Sequence, residues 1–190
     1  MINDLHNNGM GVMEWSYRTL SGLRGQRLNR VRYVVLPESP GLEMRPSERW
    51  DEVEYAVELV FDGMPVVISW LMENEIECLN VRSRSVAAVI PDYSKTIDLS
   101  AQPGWGACVG EELISVRISQ HRPVPTQGDC LWALALTFRN AASVAVALGE
   151  LVDDIPSYLP DSLVVLFGQE AAESYWISGS PTSAWGAEIA

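Results

Sequence analysis

Three side chains within one ten-residue stretch could together activate a thiol: His121, Asp129 and Cys130. A cysteine attacks as thiolate, so it needs a base, usually an imidazole within hydrogen-bond reach, and a third group to orient that base. The chain has two histidines, His6 and His121, and no His follows residue 121. His121 would serve only if HRPVPTQGD folds back to bring it beside Cys130. The two prolines and the glycine of that segment permit such a fold-back. The plainer reading ends one strand at His121 and starts the next at Cys130, a small buried residue.

The stretch Thr126–Ala133 reads TQGDCLWA. It resembles the nucleophile region of papain-like cysteine peptidases, where Gln, Gly and Cys precede a Trp-led helix. That resemblance implies Cys130 as nucleophile and covers eight residues of 190. It lacks the second glycine and second cysteine of the pattern, and the family's His and its Asn or Asp lie downstream of the Cys.

Other chemistry finds less in the sequence. There is no C-x-x-C, no H-E-x-x-H and no calcium-loop spacing, so neither a metal nor a cofactor is expected. Gly9-Met10-Gly11 and Gly104-Trp105-Gly106 stand apart from any nucleotide fingerprint. The second reads as a turn presenting one aromatic. With 25 acids in the chain, any glycosidase-type carboxylate pair is uninformative.

Acidic side chains offer a binding surface instead. The net charge is −12, which repels nucleic acid and anionic membrane and steers basic partners in. Glu73, Glu75 and Glu77 would share one strand face. Glu52, Glu54 and Glu58 would extend it across a hairpin. Such a face is either a solvated outer surface guarding against aggregation or a docking surface for a basic protein. Acids are missing between Glu14 and Glu38, where Arg18, Arg24, Arg27, Arg30 and Arg32 fall between Tyr17 and Tyr33. These arginines could bind RNA or phosphate, but pairing with the chain's own acids is the simpler account.

The elements that position these groups are mostly strands. Val53, Tyr55, Val57, Leu59 and Phe61 alternate up to Asp62-Gly63, a two-residue type I′ turn signal. That turn pairs Phe61 with Met64, Leu59 with Val66, Val57 with Ile68 and Tyr55 with Trp70. Pro65 lacks a donor, which marks an edge near the turn. The apolar phase slips at Cys78-Leu79, so a β-bulge or sharp bend is expected there. Ile114, Val116 and Ile118 read as another strand. CLWALALTFRNAASVAVALGEL has helix-forming composition but strand periodicity. A loop at 139–141 would pair Leu136 with Val144, Leu134 with Val146 and Trp132 with Leu148, and a hairpin is expected over a helix. LPDSLVVLF reads as a buried strand, followed by a helical turn or two.

The fold expected is α+β and β-rich: antiparallel sheets of roughly seven to ten strands with few short helices. Residues 1–178 are expected to form one globular domain and 179–190 a loosely held tail. No secretory signal is read, and three scattered cysteines fit free thiols in a reducing, bacterial cytoplasm. The function expected is non-enzymatic: an immunity- or antitoxin-type inhibitor of a basic toxin, bound through Glu52, Glu54, Glu58, Glu73, Glu75 and Glu77. The alternatives are a small enzyme using Cys130 and His121, or a small-molecule-binding β-barrel lined by Trp70, Trp132 and Tyr55.

Overall fold

The computed structural model describes residues 12–35, 47–73, 75–88, 95–122, 129–175 and 189. Gly9-Met10-Gly11, residues 123–128 and all of the 179–190 tail except Ile189 lie outside them. In chain order the elements are α1 (Val12–Ser21), β1 (Leu28–Val35), β2 (Trp50–Val53), β3 (Ala56–Phe61), β4 (Met64–Glu73), β5 (Ile76–Arg82) and β6 (Lys95–Asp98). Then follow β7 (Leu113–His121), β8 (Cys130–Phe138), β9 (Ser143–Leu148), β10 (Glu150–Val152), β11 (Ile155–Ser157), β12 (Leu163–Phe167) and α2 (Gln169–Ser174). The chain is thus β-rich and antiparallel with two short helices. Its twelve described strands exceed the seven to ten expected, because short strands β2, β6, β10 and β11 carry little periodic signal.

The strands form two five-stranded sheets, ordered β5-β4-β3-β1-β6 and β2-β12-β9-β8-β7, and a two-stranded ribbon, β10-β11. Both large sheets contribute to one core, with Tyr33, Phe61, Trp105, Trp132 and Phe138 among its largest buried side chains.

The β3–β4 hairpin forms in the expected register: Phe61 opposite Met64, Leu59 opposite Val66, Val57 opposite Ile68. Asp62 and Gly63 both have positive φ, 38° and 86°, as a type I′ turn requires. The ladder of β4 with β5 starts at Val67, so Pro65 lies where β4 has no outer partner. The pairing of Tyr55 with Trp70 does not form. The chain bends at Glu54-Tyr55, and β2 leaves the hairpin to pair with β12 in the other sheet. The Trp70 indole N–H donates instead to the Glu54 carbonyl, at 3.2 Å.

No bulge interrupts β5, whose register with β4 is regular from Val67–Arg82 to Glu73–Ile76. The phase slip has another cause: β5 is covered on both faces. Leu79 and Val81 join the main core, while Ile76 and Cys78 pack with Cys130. α1 packs against this outer strand, and the Val81 amide donates to the Ser16 hydroxyl at 3.1 Å. A strand edge that would otherwise present unpaired groups is thereby covered.

The Ala/Leu-rich segment is a hairpin, with Leu136 opposite Val144 and Leu134 opposite Val146. The ladder ends at Ala133–Ala147, short of the expected pairing of Trp132 with Leu148. Its three-residue loop is closed by the Phe138 amide on the Ala142 carbonyl, with Ala141 left-handed at φ 67°. Trp105 is not presented to solvent. It is fully buried, edge-on to Tyr33 and Phe167, and Gly104 at φ 82° lets the backbone approach the Phe167 ring. Ile189 donates its amide to the Val116 carbonyl and packs against the core. Among the described residues no helix is long and apolar enough to cross a membrane.

Candidate functional site

The fold brings Cys130 and His121 together and leaves Asp129 out. His121 and Cys130 are directly opposed in the β7–β8 register, so both side chains emerge on one face. Asp129 instead binds Arg122 at 2.8 Å, with both side chains exposed. The His121 ring packs edge-on to Tyr158, centroids 6.1 Å apart, and burial lowers its pKa.

Cys130 is 1% exposed, and its Sγ donates to the Glu77 carbonyl at 3.0 Å. A hydrogen bond donated by the thiol favours the neutral form, which works against a standing nucleophile. Cys130 thus occupies the position its plainer reading gave it: a buried residue entering a strand. Cys78 packs in the same small cluster. Burial, and then Cys130, Glu77 and Cys78, push the Tyr158 hydroxyl up to about 12.

The expected glutamate face is broken at Glu58 and Glu52. Glu58 is fully buried on β3, pairs with Arg32 and accepts the Val86 amide at 2.8 Å. An expected partner-binding residue is therefore internal, and Arg30 likewise meets Asp98 at 3.8 Å. The arginines of β1 are in part spent on the chain's own acids. Glu52 departs with β2 into the second sheet. Glu54 lies half-buried in the bend. Glu73 ends β4, Glu75 sits in the turn at φ 66°, and Glu77 begins the return on β5. A turn between them separates residues that one continuous strand would have aligned.

Tyr55 lies apart from Trp70 and Trp132, which both join the main core. Tyr55 packs on a satellite cluster of Val34, Ala56, Val67 and Val86. Trp132 is buried in the main core, its indole N–H on Ser119 Oγ at 2.9 Å.

A different acidic surface emerges at the β10–β11 ribbon. Val152 and Ile155 are opposed in register and are 46% and 62% exposed. Between them Asp153 and Asp154 form the turn, both left-handed at φ 51° and 63°. Two-residue turns of this hand usually take Asn or Gly, and Asp is among the residues that tolerate it. The ribbon is held along its length, at β10 and at its turn. The Leu151 amide donates to Glu52 Oε2 at 3.1 Å, and the Trp50 indole N–H reaches Asp154 Oδ1 at 3.5 Å. The Arg49 guanidinium covers the Trp50 ring at 4.1 Å. Gly149 permits close packing on Tyr175, whose hydroxyl donates to the Leu148 carbonyl. A carboxylate from a distant segment, Glu52, thus meets the ribbon at Leu151, while Asp153 and Asp154 stand between its two exposed aliphatic residues. The signal in the sequence was Leu151-Val152-Asp153-Asp154-Ile155-Pro156: apolar pairs flanking a turn-tolerant dipeptide.

No family model, no curated protein and no solved structure matches the chain.

Proposed function

We propose that the chain is a non-enzymatic binding protein whose β10–β11 ribbon docks a basic protein partner, in the manner of an immunity-type inhibitor of a toxin or effector. One observation carries the reading: an exposed, opposed Val152–Ile155 pair flanking the Asp153-Asp154 turn of a ribbon that Glu52 holds at Leu151. Effective interfaces place apolar anchors at the centre and charge around them. The charge steers the encounter and the anchors slow dissociation. A two-stranded ribbon can enter a concave cleft that a flat sheet face would only cover. The net charge of −12 supports a basic cleft as the recipient. Glu77, at the foot of the ribbon beside Tyr158, extends the same negative field.

The test is affinity capture from native lysate at low and high salt, with wild type beside the double variant Val152→Ser/Ile155→Ser. The reading expects one basic protein, weakened by salt and lost with the variant while the fold is kept. Capture indifferent to both would overturn it.

A further inference from the structure

We propose that Cys78 and Cys130 form a covalent modification site: a dithiol that closes to a disulfide linking β5 of one sheet to β8 of the other. Both residues lie in one buried cluster with Ile76, at 5% and 1% exposure. The two strands pack on each other there. The Cys130 sulfur is already 3.0 Å from the carbonyl oxygen of Glu77, whose carbon is bonded to the nitrogen of Cys78. Closing the bond requires side-chain rotations that bring the two sulfurs into contact.

The chemistry needs an oxidant, and a hydroperoxide suffices. Cys78, the more exposed thiol, attacks the peroxide, breaking the O–O bond to give a sulfenic acid and releasing an alcohol, or water from hydrogen peroxide. The Cys130 thiol then attacks the Cys78 sulfur. The S–S bond forms, the S–OH bond breaks, and hydroxide leaves as water with the proton from Cys130. His121, opposite Cys130 in register, is placed to carry that proton. Two thiols lose two electrons, and the peroxide gains them. The third cysteine, Cys108, supplies an internal comparison. It is buried beside the Trp105 turn, outside this cluster, with its thiol pushed up to about 12 by burial and then Glu111.

The test is titration of the folded protein with hydrogen peroxide, followed by alkylation and non-reducing peptide mass mapping. The expected result is one linked peptide joining Cys78 to Cys130, two hydrogens lighter and reversed by dithiothreitol, with Cys108 alkylated as free thiol. Cys108→Ser should leave the link intact. Cys78→Ser and Cys130→Ser should each abolish it, with circular dichroism reporting that each variant is folded. A folded wild type that accumulates sulfinic acid without the link, or that links Cys108 as readily, would overturn the proposal.

Discussion

The Tyr33 hydroxyl on β1 donates to Asp51 Oδ2 on β2 at 2.9 Å, joining the two five-stranded sheets through a buried polar contact. Trp105 donates its indole N–H to the same hydroxyl, and the Ser47 amide donates to the other Asp51 oxygen at 2.9 Å. Each group in the chain satisfies another, which is what permits burial of a carboxylate here.

Tyr33→Phe removes the shared hydroxyl and takes the Tyr33 partner from Asp51 Oδ2 and from the Trp105 indole N–H. A buried group left without its partner costs about 1–3 kcal/mol. Denaturant melts should show a loss in that range with an unchanged m-value.

The buried pair of Glu58 and Arg32 makes a second prediction. Glu58→Gln removes the nearest counter-charge of Arg32; Asp98 on β6 remains beside it and Arg32 is part-exposed, so some of the loss is relieved. A destabilisation of about 1–3 kcal/mol is expected, below the full cost of breaking a wholly buried pair. Urea unfolding measures it.

Glycine at 149 is required by space. A Cβ there would collide with the Tyr175 hydroxyl and lie 2.8 Å from the Ser157 carbonyl oxygen. Gly149→Ala should cost about 1–3 kcal/mol, as overpacking does. Because Gly149 adjoins the ribbon, hydrogen exchange should rise first at residues 150–157.

Ala141 points the other way. Its left-handed backbone, at φ 67°, suits glycine better than alanine. Ala141→Gly should stabilise the β8–β9 hairpin by about 0.5–1 kcal/mol, visible as a higher Tm.

His121 gives a pH dependence. Burial lowers its pKa from the ordinary 6.5, so the unfolded chain takes up the proton more readily than the folded one. Its neutral form costs nothing above about 6.5, and stability falls as pH drops from there through the lowered folded value. His121→Gln should flatten that segment of the stability–pH curve, measured by denaturant melts across the range.

Where periodicity was clean, the sequence reported the fold. The Asp62-Gly63 and 139–141 hairpins were legible because their apolar pairs agree only in one register. α1 was not, because two of its buried positions are Ser16 and Thr19, which break the apolar stripe. β1 was hidden behind Arg30 and Arg32, although Val31 and Tyr33 alternate with them. For the site, the strand end at His121 and strand start at Cys130 were legible, but their opposition was only a condition the intervening segment had to meet. The acidic face was not legible as built: pairing with β12 carries Glu52 into the second sheet, and Glu58, in its expected strand, is buried against Arg32. The ribbon was missed for want of length, since three-residue strands leave no period to read.

The most direct test of the ribbon's role is the dissociation constant of the captured basic partner for three purified proteins. These are wild type, Val152→Ser/Ile155→Ser, and Ile97→Ser, which alters an exposed aliphatic residue on the distant edge strand β6. The ribbon variant should bind at least about tenfold more weakly, which is about 1.4 kcal/mol, and Ile97→Ser should bind as wild type does. Equal affinities for all three, or a loss only with Ile97→Ser, would contradict the ribbon as the docking surface.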